Sequence, residues 1–259
     1  MFLAIDVGNT QSTLGLFDDE GQLAKGWRMT SNASDTSDML HARLFSYFLK
    51  DGYELADVSA AAVASVVPAL TRAWWRCLGD LLGRSPLLVN ATHDYGMPID
   101  MPNPRTVGAD RIANAIAARN AYGSPVIVVD FGTATNIDVV DDRGAYRGGA
   151  ISPGLMLSAN ALFSKAAKLA SISVEAPEHA LGDTTETAMQ SGLVIGAAAQ
   201  AEGLVSRMKA ELGIEQAKVI GTGGLARTVS RATDLFDAID PTLTLRGIRE
   251  IWLQQHGGA

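Results

Sequence analysis

Cysteine is almost missing from this chain. Cys77 is the single one among 259 residues, so an intrachain disulfide and a cysteine-based metal site are both excluded. One unpaired thiol suits a reducing compartment, and a cytoplasmic location is expected. Histidine is scarce too: His41, His93, His179 and His256 lie far apart and show no metal-ligand spacing. The dipeptide Gly-Lys does not occur, which excludes a Walker A phosphate loop, and no Ser, His and Asp order suggests a hydrolase elbow. Clusters of Lys and Arg are absent and the net charge is −7, so no dedicated nucleic-acid surface is expected. The most apolar long segment, Gly192 to Leu204, carries Gln200 and Glu202 and is too short to span a bilayer. It reads as a buried helix, and no membrane partner is expected. The first residues enter an apolar strand with no basic region or cleavable apolar core ahead of it, which predicts no secretory leader.

Apolar residues are plentiful. They make up 47% of the chain against 19% charged, enough for a sizeable core in two medium domains or one large one. The chain is organised around its opening stretch, AIDVGNTQSTLGLFD. Leu3 to Ile5 read as a buried strand and Thr13 to Phe17 as a returning one, interrupted by Gly15. Between them Asp6-Val7-Gly8-Asn9-Thr10 reads as a tight turn that uses the conformational freedom of Gly8 and Asn9. Such a turn points backbone N–H groups and the hydroxyls of Thr10 and Ser12 at one anion, with Asp6 placed to hold a hydrated Mg²⁺ on it. A hairpin needing Gly and Asn only for its geometry is the other reading. A second copy strengthens the first. Val126 to Val129 are a β-branched run, followed by Asp130-Phe131-Gly132-Thr133-Ala134-Thr135, with strand character again from Ile137 to Val140. Buried strand, Asp, apolar residue, Gly, hydroxyl-rich turn and strand thus recur half a chain apart, an internal duplication. Two such turns would grip a polyphosphate from both sides.

Further strands are predicted at 26–29, 60–67, 87–89, 145–149, 217–220 and 236–239. Helices are predicted at 39–50, 70–82, 112–122, 155–170, 184–212 (broken near Gly192, Gly196 and Gly203) and 244–254. Strands cluster first and helices later, twice over, so the chain reads as α/β with two similar halves, residues 1–118 and 119–259. The loop from Asn90 to Arg105 is long and aperiodic, which favours a functional segment. Asp110 opens a helix, where it serves either as an N-cap or as a general base near the positive helix end, with Arg111 available to clamp a polar substrate. Thr185 is likewise a cap or a substrate contact. Gly221-Thr222-Gly223-Gly224 follows a strand and precedes a helix. With Ala226 and Asp240 it loosely fits a dinucleotide fingerprint; a plain strand–helix junction is another reading, and a turn supporting an adenosine ring suits the remaining length better.

Together these stretches resemble the type III pantothenate kinases, members of the actin-like, sugar-kinase-like ATPase superfamily, over almost the whole chain. The resemblance implies two duplicated ribonuclease-H-like domains with mixed sheets flanked by helices. It implies transfer of a phosphoryl group from ATP to pantothenate, the entry to coenzyme A synthesis. Asp6-Val7-Gly8-Asn9-Thr10, continuing through Gln11, Ser12 and Thr13, is similar to the family's first phosphate motif and is expected to bind ATP. Gly108-Ala109-Asp110-Arg111 resembles its substrate motif, with Asp110 on the base. Asp130 to Thr135 resembles the second phosphate motif, with Asp130 expected to hold a monovalent cation, K⁺ or NH₄⁺, and Thr133 to contact ATP. Gly148 to Gly154 and Gly182 to Gly192 resemble further family stretches, Thr185 matching a substrate-contacting threonine. Gly221, Gly223 and Gly224 match the adenosine turn. Met101 stands where the family usually has an aromatic residue at the substrate loop, and Asn136 where a second Thr is common. A homodimer is expected, because the 155–170 and 188–204 segments hold more Ala, Leu, Met and Val than one internal face requires and the family is dimeric. A regulatory nucleotide-binding protein on the same scaffold, or a kinase for another small hydroxylated substrate, are the alternatives.

Overall fold

The computed structural model describes residues 1–165 and 172–257. The chain falls into two compact units. One comprises Met1–Gly96, Asn103–Ala117 and the segment from Leu243 onward; the other comprises Met97–Pro102 and Ala118–Thr242. Against a single cut after residue 118, Met97–Pro102 and Ala118 go with the second unit and the C-terminal helix with the first.

In the first unit, β1 (Phe2–Val7), β2 (Gln11–Phe17), β3 (Leu23–Thr30), β4 (Ala60–Ser65) and β5 (Leu87–Val89) form a sheet in the order β3-β2-β1-β4-β5. β1 is antiparallel to β2 and parallel to β4. Leu3, Ile5 and Val7 point into a core shared with Leu40, Leu44 and Phe48 of α1 (Ser37–Asp51) and with Trp74 and Leu78 of α2 (Pro68–Leu82). Phe2, Ala4 and Asp6 take the opposite face by alternation, where the Phe2 ring lies 5.1 Å from Trp252. β1 is apolar almost throughout because both its faces are covered. Pro68 takes the first position of α2, where its missing N–H is no loss. Gly15 is also explained, since a Cβ there would lie 2.9 Å from Leu245.

The second unit repeats the plan. β6 (Val126–Phe131), β7 (Ala134–Val140) and β8 (Tyr146–Pro153) precede α4 (Leu155–Lys165), and β9 (Lys218–Thr222) and β10 (Ala238–Ile239) complete a sheet ordered β10-β9-β6-β7-β8. Reading β6 for β1, β7 for β2 and so on reproduces the first sheet, including the antiparallel β6–β7 and parallel β6–β9 pairs. The burial along β6 matches that along β1 residue for residue. Ile127, Val129 and Phe131 enter the core with Val194, Ala198 and Val205, leaving Asp130 on the opposite face, as Asp6 is in its own sheet.

Several boundaries differ from the sequence expectation. α3 starts at Ala109 rather than Ile112, and runs to Tyr122. β8 continues to Pro153, because it pairs with β7 along its length. The helix expected to reach Ala170 is described to Lys165, the remainder lying outside the described residues. From Thr185 the chain forms α5 (Thr185–Gln190), a π turn (Ser191–Ile195) and α6 (Gly196–Leu212), so Gly192 sits in the π turn and Gly203 breaks nothing. After β9 come α7 (Ala226–Val229) and, back in the first unit, α8 (Leu243–His256). α8 packs on β1 and β4. Among the described residues no helix is long and apolar enough to cross a membrane.

Candidate functional site

In the first unit, Asp6 is the last residue but one of β1, paired across the hairpin with Thr13 and on its other side with Ala64. The turn Gly8–Gln11 closes with a hydrogen bond from the Gly8 amide to the Gln11 carbonyl at 3.0 Å. A Cβ on Gly8 would stand 3.0 Å from that same oxygen, so glycine keeps the turn tight. Asn9, Thr10 and Gln11 are exposed, while Asp6, Gly8 and Thr13 are half-buried and Val7 is in the core. Ser12 behaves differently from the sequence expectation. It is buried, and its hydroxyl shares a 2.8 Å hydrogen bond with that of Ser31, so it faces inward rather than toward an anion.

Asp110 lies at the second position of α3, and Gly108 precedes the helix, its carbonyl accepting from the Ile112 amide at 3.1 Å. Asp110 is therefore not the N-cap. Its carboxylate folds back over Gly108, where an added Cβ would come within 2.5 Å of Oδ1. Oδ1 is buried and has no hydrogen-bond partner among the described residues. Burial pushes the carboxyl above its ordinary value, against the downward pull of the Arg111 amide and charge and of its own amide. A carboxylate with a deficit of partners, raised in basicity, at the positive end of a helix is chemically a proton acceptor in waiting. Ala109 is buried and Arg111 half-buried beside it.

The second unit brings three glycine-containing motifs together. Asp130 pairs with Asn136 across its hairpin and with Thr222 of β9. Its turn, Gly132–Ala134, closes by a 3.0 Å hydrogen bond from the Gly132 amide to the Ala134 carbonyl, one residue shorter than the first turn. Gly223, at φ +91°, rests on Asp130 and Phe131: a Cβ there would lie 2.4 Å from Asp130 Oδ1. Gly154 rests on the turn itself, its amide donating to the Thr133 carbonyl at 3.1 Å. Thr133 and Gly224 are exposed. Gly221, by contrast, is covered by Ile239 and Phe236 and presents no open face. Asp240 is not available to a ribose, because it accepts from the Tyr122 hydroxyl at 3.1 Å and from the Thr242 amide and hydroxyl. That removes the dinucleotide reading of the glycine turn.

Thr184, not Thr185, caps α5, in a capping box with Thr187. Thr185 is exposed and lines a cavity of about 530 Å³ with Leu162, Ala188, Met189, Gly192 and Leu193. Met101 is half-buried, its thioether against Gly148 of β8. Cys77 is buried, its thiol pushed up to about 12 by desolvation, which leaves it inert. Two residues escaped the sequence reading: Asp141, which is buried, and Arg147, which is half-buried and pairs with it at 3.1 Å beside the Met101 segment. Only their spacing in a turn was visible, and that carries no signal of a partner.

Comparison with known proteins follows the same lines. The profile of the type III pantothenate kinase family matches residues 2–207. The chain is 42% identical to the type III pantothenate kinase of Moorella thermoacetica over 252 residues, covering 97% of this chain and 98% of that one. It is 42% identical to the Thermomicrobium roseum enzyme of the same name over 256 residues, covering 99% and 98%. Among solved structures it resembles component A of the (R)-2-hydroxyglutaryl-CoA dehydratase of Acidaminococcus fermentans, with a TM-score of 0.57 at 15% identity over 100% of this chain and 99% of that one. It also resembles the activator of the 2-hydroxyisocaproyl-CoA dehydratase from Clostridium difficile, with bound ADPNP, with a TM-score of 0.54 at 14% identity over 98% and 94%. These structures share the duplicated fold of the actin-like ATPases and sugar kinases.

Proposed function

The chain belongs to the type III pantothenate kinase family, and from that premise we propose how its residues carry the reaction. It is a kinase that phosphorylates pantothenate to 4′-phosphopantothenate at the expense of ATP, the first step of coenzyme A biosynthesis. The oxygen of the acceptor's primary hydroxyl attacks the γ-phosphorus of ATP, the bond to the β–γ bridging oxygen breaks, and ADP leaves. Asp110 takes the hydroxyl proton as the new O–P bond forms. The observation that carries this role is Asp110 Oδ1, buried without a hydrogen-bond partner at the start of α3.

Transfer of this kind needs positioning and charge neutralisation more than covalent help. The backbone amides of the Gly8–Gln11 turn and the Thr10 side chain contact phosphate oxygens, as does Thr133 in the second turn. Gly224 lies beside the adenosine. Asp6 in the first unit and Asp130 in the second, each with the hydroxyls and carbonyls of its own turn, offer hard oxygen donors of the kind that suits Mg²⁺ or an alkali or ammonium cation. Among the described residues no three acidic, His or Cys side chains converge, so such cations would be held jointly with phosphate oxygens rather than in a protein cage. Asp6 would hold Mg²⁺ through water, and Asp130 would hold K⁺ or NH₄⁺; these ions supply positive charge against the phosphates. Arg111, Gly108, Met101 and Thr185 are the proposed acceptor contacts.

The enzyme works as a homodimer in the cytoplasm. Supporting the dimer, the large apolar side chains of Ile151, Leu157 and Leu181 are 64%, 54% and 89% exposed in the second unit and available to a partner. A screen of acceptor-dependent ADP release tests the function: pantothenate should give turnover and other small hydroxy acids or sugars should not. ADP release with a sugar and none with pantothenate would overturn it.

A further inference from the structure

The segment Met97–Pro102 is held on the second unit by more than chain connectivity. Pro98 to Asp100 dock as a short extra strand on the outer edge of β8. The Tyr146 amide donates to the Pro98 carbonyl at 2.8 Å, and the Asp100 amide donates to the Tyr146 carbonyl at 2.9 Å. Ile99 bridges to Tyr146 in parallel. Tyr146 itself is fixed, fully buried with its hydroxyl donating to Asp138 at 2.6 Å.

Charge adds a second fastening. Asp141 is buried and receives the Arg147 guanidinium at 3.1 Å, the Arg143 guanidinium at 3.1 Å and the Ala145 amide at 3.0 Å. Burial pushes its carboxyl up, but the Ala145 amide and the two arginines outweigh that and hold it below the usual value. The same two arginines also reach Asp100: Arg143 shares its Nη2 between the two carboxylates, 3.2 Å from Asp100, and Arg147 turns its Nε to Asp100 at 3.5 Å. Asp141 is the anchor, the arginines are the span, and Asp100 is the point where the loop is caught. The next residue is Met101, whose Sδ and Cε reach to 3.5 Å from where a Gly148 side chain would begin. Gly148, at φ +95°, thus gives the thioether a flat seat two strand positions beyond Tyr146.

We propose that Asp100 and Arg147 are positioning residues for the acceptor: by clamping the loop to β8 they hold Met101 on Gly148 and so set the affinity for pantothenate without touching it. This rests on the reading above that Met101 lines the acceptor site. Arg147 is suited to the task because its planar guanidinium offers Nη1 to Asp141 and Nε to Asp100 at a fixed spacing.

The test is steady-state kinetics on the full chain with Asp100→Asn, Arg147→Lys, the double variant, and Met101→Ala as the control for the acceptor reading. Asp100 is 56% exposed, so its replacement leaves the fold intact. Arg147→Lys keeps a charge for Asp141 and gives up one of the two spans to Asp100, the Arg143 span staying in place. An exposed ion pair of this kind is worth enough to raise the KM for pantothenate about two- to fivefold in each single variant. The KM for ATP and kcat should hold, and the double variant should be no worse than Asp100→Asn alone, which already frees both arginines from the loop. If Met101→Ala raises the KM for pantothenate and the two clamp variants do not, the clamp is overturned and the acceptor reading stands. If Met101→Ala changes nothing, the acceptor reading falls and takes the clamp with it. A parallel rise in the KM for ATP reduces the clamp to a structural fastening and overturns it.

Discussion

Replacing Asp110 with Asn exchanges one carboxylate oxygen for an amide nitrogen and leaves the shape almost unchanged. The fold loses little by it. Asp110 stands at the second position of α3 and not at its cap, so no capping hydrogen bond is forfeited. What is lost is the attraction of a negative charge to the helix N-terminus, about 0.3–1 kcal/mol. What is gained is relief from burying that charge, with Oδ1 unpartnered. The two oppose, and a net change within about 1 kcal/mol moves the melting temperature of a chain this size by only about 2–4 °C. The pH dependence has a definite sign. Burial raises the folded-state pKa of Asp110 above its ordinary 3.8. A carboxyl raised in the folded state contributes stability that is fully present below the unfolded pKa and is lost as pH rises through the folded one. Asp110→Asn should therefore melt highest relative to the parent at neutral pH, and the difference should shrink in acid. Catalysis behaves otherwise. An amide cannot accept the proton of the attacking hydroxyl, and general-base help is worth ~10²–10⁴-fold, so kcat should fall by about that much. Coupled ADP release gives kcat, and thermal melts at several pH values give the stability. Near-normal turnover in a well-folded Asp110→Asn protein would refute the base assignment, and a melting temperature lowered most at neutral pH would refute the reading of the buried charge.

Turnover in Mg²⁺ with only Na⁺ or Tris should be low and should rise with K⁺ or NH₄⁺; Asp130→Asn should abolish that difference, and equal rates of the unaltered enzyme in all buffers would remove the cation role from Asp130. Gly108→Ala would place a Cβ 2.5 Å from Asp110 Oδ1, and misplacement of a reacting group by about 1 Å can cost ~10²-fold in rate, so kcat should drop by roughly that while thermal melting barely moves. Gly223→Ala combines φ +91° with a 2.4 Å approach to Asp130, so it should both lower the melting temperature and raise the KM for ATP; unchanged values of both would show that the turn relaxes freely. Light scattering at micromolar concentration should give twice 27.2 kDa, and the mass of a single chain would exclude the dimer.

What the amino-acid sequence determined by itself is local and periodic. The strands around Asp6 and Asp130 are legible because apolar runs end in an acid, a glycine and hydroxyls, twice, and such a pattern leaves a hairpin few alternatives. β5 is read to the residue, and α1 ends where Gly52 takes a left-handed conformation that only glycine adopts cheaply. The chemistry of Asp110 was legible as a choice between cap and base, since both need an acid at a helix start. Tertiary structure decided what depended on distant partners. Whether Asp110 finds a hydrogen bond is a matter of its surroundings, and the unpartnered Oδ1 is visible only in three dimensions. β8 extends to Pro153 because β7 supplies partners for it, not because its own residues demand extension. Ser12 turns inward because Ser31 waits on the neighbouring segment. α8 shows its apolar face in the sequence, but an amphipathic pattern does not name the sheet it covers, and only packing returns it to β1. The catch of Asp100 on Arg143 joins residues 43 positions apart. No local propensity encodes such a contact: the backbone ladder and the buried Asp141 first bring the two arginines into place, and the loop is then held by where they stand.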